Sequence, residues 1–316
     1  MAITSTQSKR TIFVAGHRGM VGSAIIRLLA RNISNNILTA SSSELNLTNQ
    51  KAVHQFFAEN SIDQVYLAAA KVGGIHANNE YPAEFIYENL MIEANLIHGC
   101  YINNIKNLIL LGSSCVYPRD ARQPIKEEYL LSGYLEKTNE PYAVAKIAGI
   151  KMCENYNRQY KTNFKCLMPT NTYGPYDTYD SQKSHFIPAI ILKVLNAKKK
   201  KLKKLMIWGN GKVKREVIFV DDLAKALVYF MNKSFKGTII NIGSNIEHTI
   251  KEYVMMICKK MNYRGKLFFD ESKPSGTPRK KLNLLKARKL NWKAKTTFNE
   301  GLTITLKSFL NGEIRK

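Results

Sequence analysis

Five runs of mostly apolar or β-branched residues recur in the first half of the chain, and each is typical of a buried strand: 11–15, 36–40, 64–70, 107–111 and 164–168. Four longer stretches between them place apolar residues at helical spacing: 24–30, 50–60, 85–103 and 142–160. Strands that alternate with helices form βαβ units. The pattern therefore predicts an α/β fold with a doubly wound parallel sheet.

The alternation weakens after Pro175. Segment 176–214 mixes loops, one helix and a lysine-rich run, whereas 216–232 and 238–242 suggest a return to the sheet. We therefore predict a dinucleotide-binding domain of residues 1–175, to which 215–245 return. A smaller C-terminal α/β lobe of residues 176–214 and 246–316 is expected to bind the substrate.

A glycine-rich turn joins the first predicted strand to the first predicted helix: Gly16, His17, Arg18, Gly19, Met20, Val21 and Gly22. Glycines here permit a tight turn, close approach of a pyrophosphate and close packing of the helix on the strand. The helix N-terminus then faces the phosphates. Such a turn also occurs without a ligand, but the strand before it and the helix after it favour a Rossmann-type dinucleotide site.

The end of the second predicted strand bears on the choice of cofactor. An acidic residue there would bind the ribose 2′-hydroxyl of NAD. The chain instead has hydroxyl-rich residues 39–43, and Arg18 in the glycine turn suits a 2′-phosphate. We therefore predict NADP(H) as the cofactor.

Tyr142 and Lys146 are four residues apart and so lie on one face of a predicted helix. A lysine ammonium near a phenol lowers the phenol pKa, which suits a proton donor to a carbonyl. The same spacing also fits a solvated helix face. Ser113 adds weight, because it follows the fourth predicted strand at the carboxyl edge of the sheet, where ligands bind in open α/β folds.

Charge and cysteine content exclude several other classes. The formal net charge is +24, but the lysines are scattered, and the dense run at 198–204 has no interleaved aromatic residues. It is therefore expected to be a solvated surface and not a nucleic-acid site. The five cysteines show no C-x-x-C spacing, so we expect neither a disulfide framework nor a metal site. A polar N-terminus and the lack of a long apolar run predict a cytoplasmic protein.

Several strings together resemble the GDP-L-fucose synthases of the extended short-chain dehydrogenase/reductase family: 69–75, 112–118, 138–142, 168–175, 184–188, 208–211 and 272–280. The resemblance covers nearly the whole chain. It implies NADPH-dependent conversion of GDP-4-keto-6-deoxy-D-mannose to GDP-L-fucose, by epimerisation at C3 and C5 and reduction at C4. It also implies a homodimer formed through the long helices.

The same resemblance implies roles for individual residues. Cys115 would be the base and His185 the acid of epimerisation, while Ser113 and Tyr142 polarise the ketone and Lys146 assists Tyr142. Beyond the glycine turn, the cofactor would contact Ala69, Tyr142, Lys146, Pro169, Asn171 and His185. The GDP-sugar would contact Ser113, Ser114, Asn171, Lys193, Trp208, Arg215 and Lys280, with the cations against its diphosphate.

Two alternatives remain open at this point. One is a C4 reductase of another GDP-4-keto sugar, such as a GDP-4-keto-heptose, without epimerase activity. The other is a non-enzymatic dinucleotide-sensing regulator on the same fold. Tyr142 and Lys146 argue against the regulator, because a sensor does not need them.

Overall fold

The computed structural model describes residues 9–180, 184–272 and 278–314, apart from the side chains at 75 and 76. The residues of the string 272–280 at 273–277 therefore lie outside the described part. The strands are β1 (Arg10–Ala15), β2 (Asn35–Leu38), β3 (Gln64–Leu67), β4 (Asn107–Leu111), β5 (Asn163–Pro169), β6 (Asn171–Tyr173), β7 (Lys204–Trp208), β8 (Lys214–Phe219), β9 (Ile239–Ile242), β10 (Glu247–Thr249), β11 (Lys266–Asp270) and β12 (Arg279–Lys280).

A six-stranded sheet forms the centre of the molecule, with the order β2-β1-β3-β4-β5-β9. Every pairing in it is parallel. All four residues of β3 and of β9 are buried, as expected for strands that are covered on both faces. The predicted doubly wound parallel sheet is confirmed, and the five predicted strands are β1 to β5.

Helices cover both faces of this sheet. The helices in the described part of the chain are α1 (Met20–Leu29), α2 (Gln50–Glu59), α3 (Ile75–Glu80), α4 (Pro82–Ile102), α5 (Glu140–Tyr160), α6 (Phe186–Lys199), α7 (Val220–Met231), α8 (Ile250–Lys260), α9 (Leu285–Lys289) and α10 (Phe298–Leu310). Helices α1 and α7 pack together on one face, while α2, α4 and α5 pack on the other. The two 21-residue helices α4 and α5 are packed against each other.

The other strands lie outside the central sheet, in what we call the C-terminal lobe; it includes β6 and β8, which the predicted lobe of 176–214 and 246–316 did not. Strand β8 pairs with β6, β10 and β12 in a second sheet, and β7 pairs with β11. The sequence pattern suggested that residues from 216 onward return to the central sheet. Only β9 joins that sheet, with α7 packed against β4 and β5, whereas β8 belongs to the second sheet. The pattern did not predict β6 or β10 because three residues are too few to show a periodicity.

Across the described ranges, no helix is long and apolar enough to cross a bilayer. The same ranges contain no group of three His, Cys, Asp or Glu side chains that is arranged to hold a metal ion. The five cysteines are free and buried. The lysine-rich run at 198–204 lies at the end of α6 and is exposed, as predicted.

Candidate active site

A cavity of about 1970 Å³ lies at the carboxyl edge of the central sheet, between the sheet and the C-terminal lobe. Its floor consists of residues that follow β1, β3, β4 and β5, and its opposite wall includes residues from α6, β7, β8 and β12. Of the residues that the sequence assigned to catalysis, cofactor or substrate, Lys146 alone does not line this cavity. The fold therefore brings the predicted residues together at the edge where α/β folds bind ligands.

The glycine turn is shaped by contacts that leave no room for side chains. Gly16 has a φ of 83°, and a Cβ there would lie 2.6 Å from the backbone nitrogen of Ala69. A Cβ on Gly22 would lie 2.1 Å from the carbonyl oxygen of Gly16. These contacts hold the start of α1 close to β1 and β3, as a dinucleotide site requires.

The N-terminus of α1 is open to an anionic ligand. Its cap, Gly19, provides no side-chain hydrogen bond, and the first turn contains no acidic residue. Unpaired helix N–H groups and the helix dipole favour a negatively charged group at this end. The turn and the helix together therefore fit the pyrophosphate of a dinucleotide.

Hydroxyl groups line the cavity at the end of β2. Ser41 and Ser42 lie in the wall near Arg18. Glu44 follows them, but its carboxylate accepts hydrogen bonds from the backbone N–H and the Oγ of Ser41, both at 2.7 Å, and it does not line the cavity. This end of the sheet thus presents a cation and hydroxyls to a ligand, an arrangement that suits a phosphate.

Ser113 and Cys115 follow β4 in a tight turn. Ser113 is extended, with a φ of −155°, and its Oγ accepts a hydrogen bond from the backbone N–H of Cys115 at 3.3 Å. A single 3₁₀ turn, Ser114–Val116, then turns the Cys115 thiol towards the cavity. Cys115 is 7% exposed, and burial raises its pKa, while the charge of Lys280 opposes that effect. The thiol is therefore protonated near neutral pH.

Tyr142 lines the cavity from the first turn of α5, and Lys146 lies one turn further along. The Lys146 Nζ is 5.6 Å from the centroid of the Tyr142 ring. We expected the ammonium to lower the pKa of Tyr142. It acts in that direction, but burial is the larger effect and raises the pKa of Tyr142 to about 12. The ammonium therefore acts on the pKa of Tyr142 as expected, but burial has the larger effect, and Tyr142 is a protonated phenol.

Sequence reasoning missed Glu93, which forms an ion pair with Lys146. The Oε1 of Glu93 lies 2.7 Å from the Lys146 Nζ, and both residues are 1% exposed. Burial acts to lower the pKa of Lys146, but the surrounding charges, with that of Glu93 foremost, together raise it. Burial also raises the pKa of Glu93, and the Lys146 ammonium opposes that shift. The signal available in the sequence was an acidic residue close to the apolar residues Ile92, Leu96 and Ile97, all of which are buried in α4.

His185 is the residue immediately before α6. Its backbone carbonyl accepts a hydrogen bond from the N–H of Ala189 at 3.0 Å, whereas its side chain makes no capping bond and lines the cavity. Desolvation lowers the pKa of His185, so the imidazole is neutral near pH 7. It is therefore available to accept or pass on a proton within the cavity.

The C-terminal lobe supplies three cations and one indole to the cavity. Arg215 on β8 and Lys280 on β12 are register partners, so their side chains start side by side. Lys193 projects from α6, and its Nζ lies 4.9 Å from the centroid of the Trp208 ring. Burial lowers the pKa of Lys193, Lys280 and Arg215, the last to about 10. This wall suits a ligand with several negative charges.

Two asparagines in the cavity wall were also missed. The Oδ1 atoms of Asn78 and Asn139 are buried, and neither has a hydrogen-bond partner in the part of the chain that the structure describes. The amide nitrogen of Asn78 is used, since it donates to the carbonyls of Gly73 and Gly74. Buried acceptors of this kind suit hydroxyl groups of a ligand. A single asparagine has no sequence pattern of its own that would have revealed either of them.

The parallel sheet, the glycine turn at its edge and the Ser113, Tyr142 and Lys146 group define an enzyme of the extended short-chain dehydrogenase/reductase class. The chain belongs to the NAD dependent epimerase/dehydratase family, whose model matches residues 12–243. The resemblance noted in the sequence is confirmed by GDP-L-fucose synthase of Escherichia coli (strain K12), which is 47% identical over 317 residues, 98% of this chain and 99% of that protein.

Solved structures of similar proteins extend this finding. The GDP-6-OMe-4-keto-L-xylo-heptose reductase from C. jejuni superposes with a TM-score of 0.89 at 35% identity, covering 97% of this chain and 99% of that one. The NADP-bound GDP-L-fucose synthetase from Naegleria fowleri also gives a TM-score of 0.89, at 25% identity, covering 98% and 97%. The similar proteins thus include GDP-L-fucose synthases and a reductase of a GDP-4-keto-heptose.

Proposed function

We propose that the protein is a GDP-L-fucose synthase, which epimerises C3 and C5 of GDP-4-keto-6-deoxy-D-mannose and reduces C4 with NADPH. The observation that carries this proposal is the single cavity that collects Ser113, Cys115, Tyr142 and His185 opposite the cations of the lobe. The similarity to the synthase of Escherichia coli, over nearly the full length of both chains, supports the same substrate.

NADP(H) fits the sheet side of the cavity. The glycine turn and the start of α1 would hold the pyrophosphate, and Arg18 with Ser42 would hold the 2′-phosphate. The bound cofactor supplies the hydride for C4. Similarity to an NADP-bound GDP-L-fucose synthetase supports this choice of cofactor.

For reduction, Ser113 and Tyr142 would donate hydrogen bonds to the C4 carbonyl oxygen. Tyr142, a protonated phenol because burial raises its pKa, then gives its proton to that oxygen. Lys146 stabilises the phenolate that remains until solvent restores the proton. The half-buried position of Tyr142 at the cavity wall is consistent with direct contact with a sugar.

For epimerisation, Cys115 would remove a proton from the carbon next to the ketone, and His185 would deliver one from the opposite face. The C4 ketone acidifies the protons at C3 and C5, and Ser113 and Tyr142 stabilise the enolate oxygen. Burial raises the pKa of Cys115 and lowers that of His185, so a proton must first pass from the thiol to the imidazole, which gives a thiolate base and an imidazolium acid. Once Cys115 has taken the sugar proton and His185 has replaced it, both groups are back in their starting forms. Lys280 is the largest charge effect that favours the thiolate. Lys280 would thus both bind the diphosphate of the substrate and stabilise the Cys115 thiolate.

The second candidate is a C4 reductase of a GDP-4-keto-heptose, which the structural similarity to the C. jejuni heptose reductase favours. Deuterated water separates the two functions. Wild-type enzyme with GDP-4-keto-6-deoxy-D-mannose and NADPH should place deuterium at C3 and C5 of GDP-L-fucose, as read by NMR and mass spectrometry. Reduction at C4 without deuterium incorporation would refute the synthase and leave the heptose-type reductase.

Variants locate the epimerase chemistry in the same assay. Cys115→Ala should abolish deuterium exchange while ketone reduction through Tyr142 continues, which gives the unepimerised GDP-sugar. His185→Ala should lower the yield of the L-sugar, because reprotonation is impaired. Unchanged exchange in Cys115→Ala would remove Cys115 from the mechanism.

We also infer a homodimer formed through α4 and α5. These helices pack on one face of the sheet, and the exposed residues Tyr87, Ile102 and Tyr160 provide apolar surface on them. Light scattering after gel filtration should give twice the mass of the chain, and a monomer would contradict the inference. The predicted cytoplasmic location stays a prediction.

A further inference from the structure

A buried carboxylate lies behind the group that carries out reduction. Glu93 sits in the middle of α4, and Lys146 sits in α5, which packs along it. The Glu93 Oε1 and the Lys146 Nζ are 2.7 Å apart, and their side chains are 1% and 2% exposed. Charges so far from water are strongly disfavoured unless each has a partner, so the two groups depend on each other.

The fold reserves space for this carboxylate. Gly149 lies three residues after Lys146 on α5, and a Cβ there would come within 2.0 Å of the Glu93 Oε2 and 2.8 Å of its Cδ. Any side chain at 149 would therefore push the carboxylate out of its place beside Lys146. A glycine inside a helix costs stability relative to alanine, so its presence here is explained by the close approach of Glu93.

The charged and titratable groups around the pair come from four elements. Tyr142 is on α5 with Lys146, whose Nζ lies 5.6 Å from the Tyr142 ring centroid. Cys115, in the turn after β4, and Cys166, on β5, are both buried thiols. Lys280, on β12, acts on Cys115. Glu93 is thus the one carboxylate that acts directly on Lys146 in the described part of the chain.

We propose that Glu93 is a positioning residue that acts through Lys146: its carboxylate keeps the Lys146 side chain charged and directed at the Tyr142 ring during ketone reduction. A fully buried lysine without a counterion loses its proton at a much lower pH than a solvated one. A neutral or displaced Lys146 no longer stabilises the Tyr142 phenolate. Glu93 does not line the cavity, and its charge is the smallest of those that shift the pKa of Tyr142, so its main route to the reaction is through Lys146.

Glu93 would support the reduction of the C4 ketone. C4 gains a hydride and the carbonyl oxygen gains the Tyr142 proton, so the ketone becomes a secondary alcohol while NADPH becomes NADP⁺. Tyr142 is left as a phenolate beside the Lys146 ammonium, until solvent returns the proton. This inference rests on the reductive part of the proposed function.

The first test needs no substrate. The Lys146 ammonium is titrated by ¹³C NMR of lysine Cε in the whole protein, and its signal is assigned by its loss in Lys146→Met. In Glu93→Gln, which keeps the shape of the side chain and removes its charge, Lys146 should lose its proton at least about two pH units lower than in the wild type. An unchanged titration would overturn the proposal.

The second test follows reduction as NADPH oxidation against pH. Activity falls at high pH when Lys146 or Tyr142 loses its proton, and in Glu93→Gln this fall should move at least about one pH unit lower. Glu93→Asp keeps the charge and should recover part of the wild-type profile. If Glu93 had only a structural role, Glu93→Gln would lower the rate at every pH and leave unchanged the pH at which activity declines. That result would refute the proposal.

Two further variants keep the test decisive if Glu93→Gln folds poorly. Gly149→Ala retains every ionisable group but displaces the Glu93 carboxylate. It should therefore also lower the pH at which activity declines, by less than Glu93→Gln does. Gly99→Ala is the matched control. It also adds a methyl to a buried glycine of this helix pair, but that methyl meets Phe57 at 3.2 Å and no charge, so the pH of the fall should not move. Equal profiles for the two alanine variants would contradict the role of Glu93.

A double variant separates this proposal from the proposed function. If Glu93 acts only through Lys146, then Glu93→Gln adds no further loss of activity to Lys146→Met. A further loss would show a separate role for Glu93. A wild-type enzyme that does not oxidise NADPH with GDP-4-keto-6-deoxy-D-mannose would defeat the proposed function, while the NMR titration would still decide the Glu93–Lys146 coupling.

Discussion

The two walls of the cavity are built in different ways. The sheet wall consists of backbone held in close contact, with Gly16 and Gly22 at distances that no Cβ tolerates. The lobe wall consists of long cationic side chains, Lys193, Arg215 and Lys280, on short strands and one helix. A wall of rigid backbone should tolerate few substitutions. A wall of separate charged side chains should lose ligand affinity stepwise, by a limited amount for each charge removed.

The largest expected effect is on the sheet wall, at Tyr142. Tyr142→Phe removes the proton donor without changing the packing of the ring, so the rate of NADPH oxidation should fall by about a hundredfold or more. Affinity for NADPH, measured by fluorescence titration, should change little. A rate within a few-fold of the wild type would remove Tyr142 from the mechanism.

The next effect concerns the glycine turn. In Gly22→Ala, the new methyl would lie 2.1 Å from the Gly16 carbonyl oxygen, so the turn must shift and the dissociation constant for NADPH should rise by about ten- to a hundredfold. Gly19→Ala is the control, because its methyl would lie 3.3 Å from that oxygen. If the two variants bound NADPH with similar affinity, close backbone packing at Gly22 would not be what makes the sheet wall rigid.

On the lobe wall, Arg215→Met should raise KM for the GDP-sugar by about tenfold, because one charge-assisted contact to the diphosphate is lost. Affinity for NADPH should stay the same, since Arg215 lies on the wall opposite the proposed cofactor site. If NADPH affinity fell as much as substrate affinity, the division of the cavity into two walls would be wrong.

Arg18 lies on the sheet wall, but we expect it to bind the cofactor through its charge. Its substitution therefore tests whether a charged contact on the sheet wall behaves like the charged contacts on the lobe wall. The wild type should use NADPH with a higher kcat/KM than NADH. Arg18→Ala should narrow that preference by about three- to tenfold, through the loss of a contact to the 2′-phosphate. Equal use of both cofactors by the wild type would disprove the assignment.

The smallest effect is expected outside both walls. The lysines of the run 198–204 are exposed and do not line the cavity. Replacing Lys199, Lys200 and Lys201 by glutamine should leave kcat within about twofold, because screened surface charges contribute little. Tight, salt-dependent binding of DNA or RNA that this change abolishes would show that the run is a nucleic-acid site.

The sequence predicted the sheet wall more completely than the lobe. The glycine turn, Ser113 and the spacing of Tyr142 and Lys146 are local patterns, and each lies beside an element that periodicity predicts. The cations of the lobe were assigned through resemblance, because one lysine in a chain with a charge of +24 has no local pattern to distinguish it. Glu93 escaped notice for another reason: its partner is 53 positions away, and only the packing of α4 on α5 brings the two together.

The path of the chain between the two sheets has a consequence for how the molecule can be divided. Strand β6 pairs with β8 directly after β5 leaves the central sheet, and β9 returns to the central sheet before β10 pairs with β8 again. The backbone thus passes between the two sheets several times, and neither of them is a continuous segment. No single cut releases the lobe with its strands complete, so the lobe should not be expressible alone. The two sheets should melt together in one calorimetric transition.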